Sequence, residues 1–142
     1  MDSAIFNHVC LSISDEAASE AFYAKLGFRR FAHWEAADKA LTITHLTNDS
    51  MLLEMICYAD RKPAPEWIHD TATDLPVLGT KHFALRVNSI EDAKRDLVER
   101  GLIGSDHLIK PGRTVSAYFF VPDPDGILVE IVQDDRPGAD FK

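Results

Sequence analysis

One feature constrains this chain more than any other: it repeats itself. Ile5 to Ile13 reads I-F-N-H-V-C-L-S-I and Gly79 to Val87 reads G-T-K-H-F-A-L-R-V, two strand-like runs with a histidine at the same place. In each half an acidic, alanine-containing helical stretch follows and stops at a glycine, Asp15 to Leu26 before Gly27 and Ile90 to Arg100 before Gly101. A glycine just past a helix supplies the left-handed residue that caps it. His8 precedes Gly27 by 19 residues, and His82 precedes Gly101 by the same 19, so the halves match in register. Toward the end of each half, Asp49-Ser-Met-Leu-Leu-Glu-Met-Ile56 aligns with Asp125-Gly-Ile-Leu-Val-Glu-Ile-Val132, a polar turn opening into a strand that carries a glutamate.

Further strands are expected at Arg29 to Trp34 and Leu41 to Leu46 in the first half, and at Asp106 to Ile109 and Thr114 to Val121 in the second. Each half therefore reads β-α-β-β-β. The expected fold class is α+β, two βαβββ modules forming a curved mixed sheet around a metal cavity. Module one spans about 4–57, a linker 58–79, module two about 80–133 and a tail 134–142, together one domain over 1–142. In the linker, Pro63, Pro65 and Pro76 exclude a regular helix or central strand over most of its length.

With 142 residues, 46% of them hydrophobic and 27% charged, the chain can bury one shared core. Its formal charge of −8, with Lys and Arg scattered, works against binding nucleic acid or an anionic membrane, both of which need a basic patch to displace counterions. No apolar stretch approaches the roughly 20 residues of a membrane span, and no basic region precedes an apolar core at the N-terminus. A cytoplasmic location is expected. Cys10 and Cys57 build neither a disulfide framework nor a C-x-x-C motif, and both are expected to be buried thiols.

Strand side chains alternate between faces, so Val9, Leu11 and Ile13 share one face while His8, Cys10 and Ser12 share the other. Phe83, Leu85 and Val87 repeat that pattern against His82, Ala84 and Arg86. The apolar face must meet the helix, which turns both histidines away from the helix-packed core. Glu54 and Glu130 lie inside otherwise apolar strands, where a buried carboxylate without a partner would cost several kcal/mol. A single His or Glu on a strand is ordinarily a satisfied or partly exposed residue. Here, however, the helix-end glycines and polar turns align the halves without using these residues, and the two His and two Glu then coincide. Brought together across paired modules, His8, Glu54, His82 and Glu130 are a competent donor set for one divalent ion, Zn, Ni, Co, Mn or Fe. His33, His45, His69 and His107 have no repeat-equivalent histidine; of these, His45 is the one placed to line the cavity.

Phe22-Tyr-Ala-Lys-Leu-Gly-Phe28, the Asp123-Pro-Asp-Gly126 turn leading to Glu130, and the paired βαβββ halves resemble the vicinal oxygen chelate superfamily of glyoxalases, bleomycin-resistance proteins and dioxygenases. The resemblance covers nearly the whole chain. It implies metal positions at His8, Glu54, His82 and Glu130, a ligand set closest to that of glyoxalase I. It further implies a lyase or isomerase acting on a small oxygenated substrate through a stabilised enediolate or oxyanion, with Glu130 or Glu54 as catalytic base. Family members that cleave aromatic rings use two His and one Glu and carry a tyrosine ten residues before the final glutamate. That position here is Phe120, so an extradiol-type dioxygenase is an alternative, kept open by Tyr118. A non-catalytic drug-binding protein is the other. The arginine that contacts glutathione in glyoxalase I corresponds here to Ser12, whereas Arg86 occupies the repeat-equivalent position and is expected to meet either an anionic substrate group or a surface carboxylate. From the resemblance, a homodimer is expected, with a small-molecule substrate.

Overall fold

The computed structural model describes residues 4–137, with the side chains of Trp67 and His69 outside that description. The chain divides into two compact units, Met1–Glu66 and Trp67–Lys142.

In the first unit, β1 (His8–Ser12) leads to α1 (Glu16–Lys25), then to β2 (Arg29–Glu35), β3 (Leu41–Thr47) and β4 (Leu52–Tyr58). They form a four-stranded sheet in the order β1-β4-β3-β2, with β1 parallel to β4 and the other pairings antiparallel. The second unit begins with a 3-10 turn (Glu66–His69, reaching back by one residue) and a short α2 (Thr71–Asp74). It repeats the plan with β5 (His82–Arg86), α3 (Ile90–Glu99), β6 (Lys110–Pro111), β7 (Ala117–Pro122) and β8 (Leu128–Gln133), in the order β5-β8-β7-β6. Again the first and last strands pair in parallel. Two four-stranded mixed sheets with a few helices make the α+β fold expected from the repeat.

Matching caps produce the matching helices. Asp15 accepts a hydrogen bond from the Ala18 amide and Ser89 one from the Asp92 amide, each satisfying a donor that the first turn leaves unpaired. At the other ends, Gly27 and Gly101 adopt φ of 89° and 68°. Their amides donate to Ala24 and Val98, while Phe28 and Leu102 donate to Tyr23 and Leu97. This is the Schellman arrangement at both helix ends. Nothing lies within 4 Å of a Cβ built at either glycine, so conformation rather than space selects the residue.

Strand alternation places the cores as expected. Leu11, Ile13, Leu46, Leu53 and Met55 are buried with Phe22, Tyr23 and Phe28 in the first unit. Phe83, Phe119, Val121, Val129 and Ile131 are buried with Ile90 and Leu97 in the second. Full burial of each large apolar side chain contributes on the order of 1.5–3 kcal/mol.

Three expectations need correction. Asp106 to Ile109 is not a strand: it enters through a turn closed by the His107 amide donating to Gly104, and β6 is only Lys110–Pro111, where the missing proline N–H curtails the ladder. Thr114 to Ser116 lie outside β7, because the chain bends tightly at Gly112, where an added Cβ would come within 2.5 Å of the Val115 carbonyl oxygen. Nor are both cysteines buried. Cys10 is exposed on the helix-free face beside His8, and Cys57 is half-buried. Of the tail, residues 138–142 lie outside the described residues.

Candidate metal centre

Parallel pairing of the first and last strands sets the site. Cys10 lies opposite Glu54 and Ala84 opposite Glu130 in the register, and each histidine is two residues earlier on the same face as its glutamate. His8 Nε2 is 3.6 Å from Glu54 Oε1, and His82 Nε2 is 3.1 Å from Glu130 Oε2. The four predicted donors are therefore brought together as two like pairs, one in each unit. The glutamate side chains are 22% and 17% exposed, and the imidazoles beside them answer the burial cost anticipated for carboxylates in apolar strands.

The donor chemistry and spacing fit a divalent ion. Two adjacent ligands bonded at about 2.1 Å stand about 3.0 Å apart at a right-angled vertex and about 3.4 Å apart at a tetrahedral one. Both pairs lie close to those edges. Among the described residues, no group of three or more His, Cys, Asp or Glu side chains is arranged to hold an ion.

Two residues outside the predicted quartet complete the first unit's pair. His8 Nδ1 is 2.7 Å from Asn7 Oδ1, an oxygen that can only accept, so Nδ1 carries a proton and the ring is oriented with Nε2 toward Glu54. His45, across the β3–β4 ladder from Glu54, places Nε2 3.0 Å from Glu54 Oε2. That hydrogen bond is the main reason the Glu54 carboxyl is held below its ordinary range, against burial and with help from Cys10 and the His8 charge. Conversely, burial first and then Glu54 push the Cys10 thiol up. Of the histidines without a repeat-equivalent, the sequence singled out His45 as the one to line the site, but its partner depended on strand order. The only trace of Asn7 in the sequence was its position next to His8.

The remaining predicted contacts are distributed around these pairs. In the second unit Phe120 occupies the register position opposite Glu130 and meets the His82 ring edge-on at 5.2 Å. Tyr118 stacks edge-on against Phe120 at 5.6 Å. Ser12 and Arg86 are exposed at the ends of β1 and β5. The Arg86 charge helps to hold Asp134 and Asp135 ionised, so two neighbouring carboxylates, one buried and one exposed, already draw on it. His33 is engaged elsewhere, with Nδ1 2.8 Å from Thr44 Oγ1 and 3.0 Å from Glu16, while His107 packs edge-on against Phe119. No helix among the described residues is long and apolar enough to cross a membrane.

Paired βαβββ units, each presenting an imidazole and a carboxylate from its parallel strands, define a class of small two-module proteins. Residues 5–131 match the model of the Glyoxalase/Bleomycin resistance protein/Dioxygenase superfamily, and the chain belongs to that family. A glyoxalase family protein from Enterococcus faecalis is 25% identical with a TM-score of 0.76, the alignment covering 93% of this chain and 99% of that one. The trypanothione-dependent glyoxalase I of Leishmania major shares the fold at 23% identity and a TM-score of 0.65, covering 93% and 88%. The uncharacterised protein YwkD of Bacillus subtilis (strain 168) is 26% identical over 132 residues, covering 89% of this chain and 94% of its own.

Proposed function

We propose that the chain is a divalent-metal-dependent lyase or isomerase of the glyoxalase-like type, acting on a small oxygenated substrate. His8, Glu54, His82 and Glu130 would hold one ion, Zn, Ni, Co, Mn or Fe. The observation that carries this reading is the duplicated His–Glu pair, set at ion-compatible spacing on the helix-free face of both sheets. When bound, the ion supplies Lewis-acid stabilisation of negative charge on two adjacent substrate oxygens. Glu130 or Glu54 accepts the proton that leaves the neighbouring carbon. Phe120 and Tyr118 form an aromatic wall beside His82, and Arg86 and Ser12 meet the substrate from the equivalent ends of β5 and β1. Ring cleavage is the weaker reading, because Phe120 offers no hydroxyl at the position where the ring-cleaving members carry tyrosine. We further propose that the protein works as a cytoplasmic homodimer.

Elemental analysis and Co²⁺ titration of the wild type, His8→Ala and Glu130→Ala test the metal. Transfer of deuterium from heavy water to the carbon next to a carbonyl, followed by NMR across a set of small 2-oxoaldehydes and 2-hydroxyketones, tests the chemistry. One ion per site is expected in the wild type, with affinity reduced by more than about 100-fold in either variant. Metal-free protein that still binds a hydrophobic drug after His8→Ala would instead establish a ligand-sequestering protein.

A further inference from the structure

Across the antiparallel ladder, the two halves of the candidate centre differ in a way that the repeat hides. Opposite Glu54 on the neighbouring antiparallel strand stands His45; opposite Glu130, in the same register, stands Phe120. A carboxylate only accepts, so His45 Nε2 carries the proton and donates to Glu54 Oε2 over 3.0 Å. The other oxygen, Oε1, is the one that faces His8 Nε2. The phenyl ring of Phe120 has no N–H to offer Glu130, and instead its edge-on contact is with His82.

We propose that His45 is a positioning residue for Glu54, holding Oε2 so that only Oε1 is presented, together with His8 Nε2, to a divalent cation. The inference rests on the metal reading above and deepens it, because it makes the two glutamates unequal. Glu54 is an anchored, one-oxygen donor. Glu130 lacks that restraint from its opposing strand. His45 lies nearly parallel to His8, with ring centroids 6.3 Å apart, and its ring nitrogen is already committed to the carboxylate. It thus acts through Glu54 and not on the ion. Outer hydrogen bonds of this kind hold a ligand's orientation, and removing one typically weakens metal affinity by about 10–100-fold.

The test is Co²⁺ binding to the full chain, followed by calorimetry and visible absorption, in the wild type, His45→Phe, His45→Ala and His45→Gln, with thermal melts of the metal-free proteins. Phenylalanine copies the second unit's own solution, and glutamine retains an N–H donor. Phenylalanine and alanine are expected to weaken Co²⁺ binding about 10-fold or more while the metal-free proteins still melt cooperatively, and glutamine to recover most of the affinity with the wild-type spectrum. Affinity within about twofold of wild type in both the phenylalanine and alanine variants overturns the positioning role while leaving the metal reading intact. A glutamine variant whose spectrum reports a changed coordination overturns it in favour of direct ligation by His45. Wild-type protein that binds no Co²⁺ removes both readings together.

Discussion

Asp123→Ala tests the link between a motif visible in the sequence and the placement of a candidate ligand. Asp123 is buried, 6% exposed, and its Oδ1 accepts hydrogen bonds from the amides of Asp125 at 2.9 Å and Ile127 at 2.8 Å. Gly126, with φ of 83°, completes the turn that delivers the chain into β8 and hence Glu130. Hydrogen bonds to an ionised group contribute about 1.5–3 kcal/mol each. Because Asp125 and Ile127 are only half-buried, water recovers part of that loss, and the lower end of the range applies. Two bonds then give a loss of about 3 kcal/mol. At about 3 °C per kcal/mol for a chain of this length, the melting temperature should fall by roughly 9 °C. Asp123→Asn keeps the accepting oxygen without its charge and should cost about half as much. Circular-dichroism melts and urea titrations measure both, and Co²⁺ titration reports whether Glu130 is still presented. A slip of one residue in β8 would turn Glu130 toward the helix. An alanine variant within about 1 kcal/mol of wild type, or an asparagine variant no better than alanine, would refute the argument.

Two further outcomes follow from the electrostatics. The Arg136 guanidinium bonds Asp134 through both oxygens and pulls its carboxyl down to about 2. Since the folded value lies below the unfolded one, this stabilisation is complete above about pH 4 and is lost as the pH falls toward 2. A carbon-13 titration of Asp134 should show that low midpoint, and Arg136→Ala should return it to the ordinary carboxylate range. Cys10 is exposed yet held protonated by its surroundings, so iodoacetamide should modify it slowly at neutral pH. Glu54→Gln should accelerate that reaction several-fold, and an unchanged rate would show that Glu54 does not act on the thiol.

Local rules carried much of this reading. The glycines at 27 and 101 end their helices in matching Schellman motifs because only a residue tolerant of positive φ closes that turn cheaply. Period-two alternation placed His8 and His82 on the face away from the helices, for the same reason that it buried Leu11 and Phe83. Where local signals were weak, the reading failed. Leu108 and Ile109 suggested a strand, but β6 forms only where Lys110 and Pro111 reach across to Tyr118 and Ala117, and Gly112 then bends the chain. Cys10 was assigned by residue type to the interior, although its strand parity already put it beside His8.

What the sequence determined by itself was the repeat, the two mixed βαβββ units and the identity of four candidate donors. All of these follow from periodicity, capping and spacing along one stretch of chain. Tertiary structure alone decided which residue stands across the ladder from each glutamate. That neighbour is chosen by strand order and register between distant segments. It places His45 against Glu54 and Phe120 against Glu130, so two carboxylates that look equivalent in the sequence have different surroundings in the fold.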